Sequence, residues 1–107
     1  MFDDLAYTES PGGAKPFPVK IYALTSCEHC RDGMALLDSL GLAYRYLYVD
    51  KLPPEDRIRI KKDIAGLFQR NLLFPFMELP GEEFLFGYDE GIWRNRLILL
   101  AAAERED

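Results

Sequence analysis

Apolar and polar positions along this chain alternate between two periods. Val19-Lys20-Ile21-Tyr22-Ala23-Leu24 contains no turn former and reads as a short buried strand. From Glu28 to Leu40 the apolar positions Met34, Leu37 and Leu40 recur at helical spacing with Leu36 beside them, and Gly41 follows as a left-handed C-cap. Gly33 interrupts this helix, at a cost of about 1 kcal/mol against alanine unless close packing needs it. Ala43 to Asp50, rich in Tyr, Leu and Val, predicts a second strand. Pro53-Pro54 stops it and opens a helix with Glu55 and Asp56 in the first turn and an apolar stripe of Ile60, Ile64, Leu67 and Phe68. Leu72 to Leu79 is an apolar strand interrupted by Pro75. Pro80-Gly81 is a turn and Glu82 to Phe86 a returning strand, so the two form a hairpin. Gly87-Tyr88 breaks the pattern. Asp89 begins a last helix running to about Ala103, with Ile92, Trp93, Arg96 and Leu97 on successive turns.

The predicted order is therefore β-α-β-α-β-β-α. A parallel β-α-β unit followed by an antiparallel hairpin and a helix predicts an α/β fold, with a mixed four-stranded sheet and helices on both faces. At 107 residues the chain suits one domain, placed at residues 19–103. Residues 1–18 carry three acids, one lysine and three prolines without periodicity, and read as a mobile tail with Phe2, Leu5 and Tyr7 as candidate pins. Residues 104–107 read as a short charged tail. The net charge of −5 and the pI of about 4.9 supply no general attraction to nucleic acid or anionic lipid. No apolar run approaches the length of a membrane span.

Chemistry concentrates at Cys27-Glu28-His29-Cys30, which holds both cysteines of the chain. The pair falls where the first strand hands over to the first helix, with Thr25 and Ser26 in the turn as candidate partners for helix N–H groups. A C-x-x-C at such a junction, with no basic and apolar leader before it, reads as a redox dithiol in a reducing compartment, and the expected setting is cytoplasmic. The unpaired N–H groups and macrodipole of a helix N-terminus favour a thiolate on Cys27. Cys30, one turn inside, can close a disulfide or resolve a mixed disulfide. His29 is a candidate modulator, able to donate to the thiolate or sit near it as a cation, with Glu28 acting in the opposite sense. Zinc finds at most three ligands here, one short of a closed tetrahedral site.

With these elements in order, the chain resembles the glutaredoxins, thiol–disulfide oxidoreductases on the thioredoxin fold, over roughly residues 19–103. Three landmarks carry the resemblance: Cys27-Glu28-His29-Cys30 after the first strand, Leu73-Phe74-Pro75 before the third, and Phe86-Gly87-Tyr88-Asp89-Glu90 at the last helix. The family typically shows Cys-Pro-Tyr-Cys, Thr-Val-Pro and Gly-Gly-x-Asp-Asp there. The resemblance implies that Pro75 is cis and packs against the dithiol. It also implies that the Phe74 backbone pairs with an extended substrate, that Tyr88 flanks the groove, and that Asp89 meets the amine of glutathione. It implies no bound cofactor, glutathione or a thioredoxin-reductase-type protein as candidate reductant, and protein disulfides or glutathione mixed disulfides as partners. The alternative on the same fold is an iron–sulfur cluster carrier or interaction module with little turnover, since this motif lacks the usual proline. Two departures bear on glutathione. Leu24 stands where a lysine is common, and Leu72, after Arg70 and Asn71, stands where a basic or amide group is common.

Overall fold

The computed structural model describes residues 1–10, 17–68 and 72–104. The elements are β1 (Thr8–Glu9), β2 (Lys20–Ala23), α1 (Glu28–Ser39), β3 (Arg45–Tyr48), α2 (Pro54–Phe68), β4 (Phe76–Leu79), β5 (Glu83–Phe86) and α3 (Glu90–Glu104). They build one mixed sheet in the order β1-β3-β2-β4-β5. β2 is parallel to β3, with Ala23 opposite Tyr48, and antiparallel to β4, with Tyr22 opposite Phe76. β4 and β5 form the hairpin, with Phe76 opposite Phe86.

The sheet separates two cores. On one face Val19, Ile21, Met77 and Leu79 pack beneath Leu36 and Leu37 of α1 and Trp93 and Leu97 of α3. On the other, Tyr22, Leu47, Phe76 and Phe84 meet Ile60 and Ile64 of α2. The Tyr22 and Phe76 rings stack at 4.5 Å with 8° between their planes. Side chains of β2 alternate between these cores, and Ile21, Tyr22 and Ala23 are all fully buried. The α/β fold with helices on both faces is as expected.

The fifth strand is not. Residues 1–10, expected within a mobile tail, are packed on the sheet. Thr8–Glu9 adds antiparallel to β3, Phe2 is buried, and the Tyr7 hydroxyl lies 2.7 Å from the Tyr22 hydroxyl. Tyr22 donates in turn to Glu78 at 2.7 Å, and the Met1 ammonium donates to the other Glu78 oxygen at 2.8 Å. A carboxylate inside an otherwise apolar strand needs such partners, because burying it alone would cost several kcal/mol. Burial is also the main cause that raises the phenol of Tyr7 to about 12 and pushes that of Tyr22 higher still. The rest of the expected tail includes residues 11–16, which lie outside the described residues, as do 105–107.

Other differences are local. The second strand ends at Tyr48, and Val49–Lys51 turns as a 3-10 helix instead of continuing to Asp50. The third strand starts at Phe76, after Pro75, and Glu82 lies in the hairpin turn with a left-handed φ of 58°. Leu67 and Ile92 are 59% and 54% exposed, so neither belongs to a buried stripe. The stripe of α3 runs through Trp93 and Leu97 to the half-buried Leu100. The side chain of Phe68 lies outside the described residues.

Gly33 sits on the buried face of α1, against α3. A Cβ built there would lie 2.9 Å from Cζ3 and 3.3 Å from Cη2 of Trp93, and 3.4 Å from Cδ1 of Tyr88. Trp93 is 1% exposed and its Nε1 donates to the Gly87 carbonyl at 3.0 Å, so the indole has little room to retreat. Gly33→Ala is expected to lower stability by about 1–2 kcal/mol, the overpacking cost outweighing the gain in helix propensity. Urea unfolding measures this, and a variant as stable as the parent or more so would mean that α3 shifts freely.

Candidate functional site

The register of the sheet assembles the site. β2 runs toward α1, β3 runs beside it in the same direction, β4 begins where β2 ends, and β5 ends where β4 begins. The ends of β2, β3 and β5 and the start of β4 therefore share one end of the sheet. The loops leaving there carry Cys27 and Cys30, Asp50, Phe74 and Pro75, and Tyr88 and Asp89.

Cys27 itself caps α1. Its backbone is extended (φ −124°, ψ 111°), its carbonyl accepts from Arg31 N–H at 3.2 Å, and its Sγ accepts from Cys30 N–H at 3.2 Å. The cap expected of Thr25 and Ser26 is thus supplied by sulfur, and Thr25 is engaged elsewhere, with the Asp50 carboxylate. Cys27 and Cys30 are joined by a disulfide, with their Cα atoms 5.2 Å apart. The two sulfurs differ in access: Cys27 is half-buried and Cys30 is only 2% exposed. Glu28 and His29 between them are both exposed.

Across the site, the Phe74–Pro75 peptide bond is cis and Pro75 is fully buried. The Leu73 and Pro75 carbonyls face β5, where both meet Gly87 N–H, at 3.4 and 2.8 Å. Phe74, between them, is half-buried, with its ring centre 5.4 Å from that of Phe76. Among the described residues neither its N–H nor its carbonyl makes a hydrogen bond. Asp89 is exposed and caps α3, accepting from Ile92 N–H at 3.0 Å. Tyr88 is half-buried, edge-on to Trp93 with ring centres 5.1 Å apart. Burial and the carboxylates of Glu90 and Asp32 raise its phenol. Tyr88 also lines a groove of about 350 Å³ between α1 and α3, with Asp32, Ser39, Glu90 and Arg94. An equally large concavity lined by Val19, Lys20 and Leu79 lies at the opposite end of the sheet, away from both cysteines.

The register thus brings together the loops bearing Cys27, Cys30, Phe74, Pro75, Tyr88 and Asp89. His29 stands on the exposed rim. Three residues that the sequence reading did not assign to the site support it. Gly33 and Trp93 set the closeness of α1 and α3, and Asp50 reaches the loop before Cys27. Arg70 and Asn71 lie outside the described residues. Among the described residues no group of three His, Cys, Asp or Glu side chains is arranged to hold a metal ion. No helix among them is long and apolar enough to cross a membrane.

A mixed sheet of this order with a dithiol at the N-terminus of its first helix is the thioredoxin fold in its glutaredoxin form, a scaffold for thiol–disulfide redox chemistry. Solved structures agree. The glutaredoxin of Methanosarcina mazei Go1 superposes with a TM-score of 0.68 at 24% identity, over 85% of this chain and 86% of that one. Methanosarcina acetivorans methanoredoxin gives 0.66 at 25% identity, over 82% and 92%. The holo form of glutaredoxin C1 from Populus tremula x tremuloides gives 0.62 at 27% identity, over 78% and 81%. Neither a protein-family model nor a curated protein sequence matches the chain.

After reduction, the more accessible capping sulfur is expected to react first. Cys27 should be alkylated faster than Cys30, with a thiolate forming below the reference pKa of about 8.5. Mass spectrometry of partly alkylated protein across the pH range measures both, and equal rates at the two sulfurs would count against the assignment.

Proposed function

We propose that this chain is a glutaredoxin-like thiol–disulfide oxidoreductase, with Cys27 as nucleophile and Cys30 as resolving thiol. The observation that carries this reading is the asymmetry of the pair: an accessible sulfur at the helix cap facing the Cys30 N–H, and a buried partner one turn inside. In the reduced protein the same N–H donates to the thiolate, a charge-assisted bond stronger than its neutral counterpart.

The chemistry balances with thiols and disulfides alone. The Cys27 thiolate attacks one sulfur of a substrate disulfide, forms a mixed disulfide, and releases the other sulfur as a thiolate that takes a proton from water. Cys30 gives up its proton and attacks the Cys27 sulfur. The second substrate thiol leaves, and the protein carries the Cys27–Cys30 disulfide. Two electrons have passed to the substrate. Two equivalents of glutathione, ending as glutathione disulfide, or a thioredoxin-reductase-type protein reverse the change. Such cycling fits a reducing compartment such as the cytoplasm.

Phe74 supplies the docking edge in this reading. Its N–H and carbonyl, which make no hydrogen bond among the described residues, suit a short stretch of extended backbone, from a protein or from glutathione, added as a strand is added to a sheet edge. Asp89, which caps α3 at the same end of the sheet, is the candidate partner for a substrate amine. Leu24 and Leu72, in place of the basic or polar groups common among glutaredoxins, favour protein disulfides over glutathione disulfide as the oxidised substrate.

Cys27→Ser should abolish protein-disulfide reduction. Cys30→Ser should slow dithiol turnover at least about tenfold and accumulate a mixed disulfide on Cys27, because resolution then waits for an external thiol. A turbidimetric disulfide-reduction assay, run with glutathione and separately with a thioredoxin reductase, checks both, and turnover retained in Cys27→Ser would overturn the proposal. His29 faces solvent, which weakens any hold on the thiolate. His29→Ala is therefore expected to lower the reduction potential by less than about 30 mV, the equivalent of about 1.4 kcal/mol. A glutathione redox titration measures it, and a larger fall would show His29 bonded to the sulfur in the reduced state.

A further inference from the structure

The loop that delivers Cys27 is held from outside. Thr25, two residues before Cys27, donates its N–H to Asp50 Oδ1 at 3.1 Å and its hydroxyl to Asp50 Oδ2. Asp50 lies in the 3-10 turn that closes β3, and β3 is paired with β2 as far as Ala23 and Tyr48. The clamp therefore spans two neighbouring strand ends at the point where pairing stops and the chain turns toward α1. Both residues are exposed, so the clamp adds little apolar burial. What it fixes is the path of residues 24–26, and so the placement of the capping sulfur against the Cys30 N–H. The Thr25 hydroxyl, chiefly, and the Thr25 N–H hold the Asp50 carboxyl below the usual carboxylate range, so the acceptor is ionised at neutral pH.

We propose that Asp50 is a positioning residue for the redox site, holding Thr25 so that Cys27 keeps its place at the N-terminus of α1. The proposal rests on Cys27 being the nucleophile. It has a built-in discrimination, because Asp50 acts through geometry and through charge with opposite signs. Loosening the loop removes donors from the thiolate and raises its pKa. Removing a nearby negative charge lowers it. Asparagine keeps the clamp without the charge: its carbonyl accepts from Thr25 N–H and its amide donates to Thr25 Oγ1. Alanine loses both.

The test compares wild type, Asp50→Ala, Asp50→Asn and Thr25→Val, each checked for an unchanged fold by circular dichroism. The readouts are the Cys27 alkylation rate at a pH about one unit or more below the Cys27 pKa measured in the wild type, where the rate follows the thiolate fraction, and the equilibrium with glutathione. Asp50→Ala should slow alkylation about three- to tenfold, the thiolate fraction lost when a thiol pKa rises by about half a unit to one unit. It should shift the glutathione equilibrium toward the disulfide by a similar factor. Asp50→Asn should match wild type within about twofold or react faster, and Thr25→Val, with one clamp bond left, should fall between wild type and alanine. Unaltered rates in Asp50→Ala, or equal acceleration in the alanine and asparagine variants, would overturn the positioning role. Wild-type protein in which Cys27 reacts no faster than Cys30 would instead overturn the nucleophile assignment, and this proposal with it.

Discussion

Everything at the redox end of the molecule depends on the pairing of β2 along both of its edges. It is a four-residue strand, yet Ile21, Tyr22 and Ala23 are fully buried, with Ile21 in one core and Tyr22 in the other. A one-residue slip would exchange the two sets, so its register is strongly specified. Because β2 is parallel to β3 and antiparallel to β4, that register also decides which loops meet. The turn into α1, the turn after β3, the cis-Pro75 segment and the start of α3 fall at one end, and no long-range contact between the loops themselves is needed to gather them.

Access and charge then separate two chemically identical side chains. Cys27 is the last extended residue and Cys30 is already inside the helix. The first sulfur is therefore partly open to solvent and accepts from a helix N–H, while the second is buried. The close approach of α1 and α3 at Gly33 and Trp93 keeps the dithiol helix pressed on its neighbour, and the indole also anchors Gly87 at the entrance to α3. The helix carrying the cysteines and the segment flanking the groove are thereby coupled through one buried ring.

The opposite half of the sheet is stabilised by different means. Glu78, within β4, is matched by the Met1 ammonium and Tyr22, and Tyr7 extends the chain of hydroxyls. The N-terminal residues thus complete the polar pairing of a buried carboxylate and cover one edge of the sheet. This explains a fifth strand of only two residues, too short to be stable by itself.

Sequence alone determined the order of elements from β2 to α3, the dithiol at a strand-to-helix junction and the left-handed Gly41 at the end of α1, found with φ 71°. These are local matters: hydrophobic period, turn chemistry and the spacing of two cysteines each leave a signature within a few residues. The three landmarks of the glutaredoxin resemblance were legible for the same reason. What tertiary structure alone decided involves partners distant in the chain. Glu78 lies in a run that read simply as apolar, and Tyr22 and Met1, far away in the chain, satisfy it. Gly33 read as a cost to its helix unless close packing required it, and only the fold supplies the packing partner, Trp93, sixty residues on. Thr25 looked like a cap for its own helix, but its hydroxyl serves Asp50 at the end of the neighbouring strand. Leu67 and Ile92 fit a helical stripe by spacing, but which side of a helix meets the sheet is set by packing, and both face solvent. A hydrogen bond or a van der Waals contact between residues far apart in sequence leaves no periodicity behind, so only the folded chain reveals it.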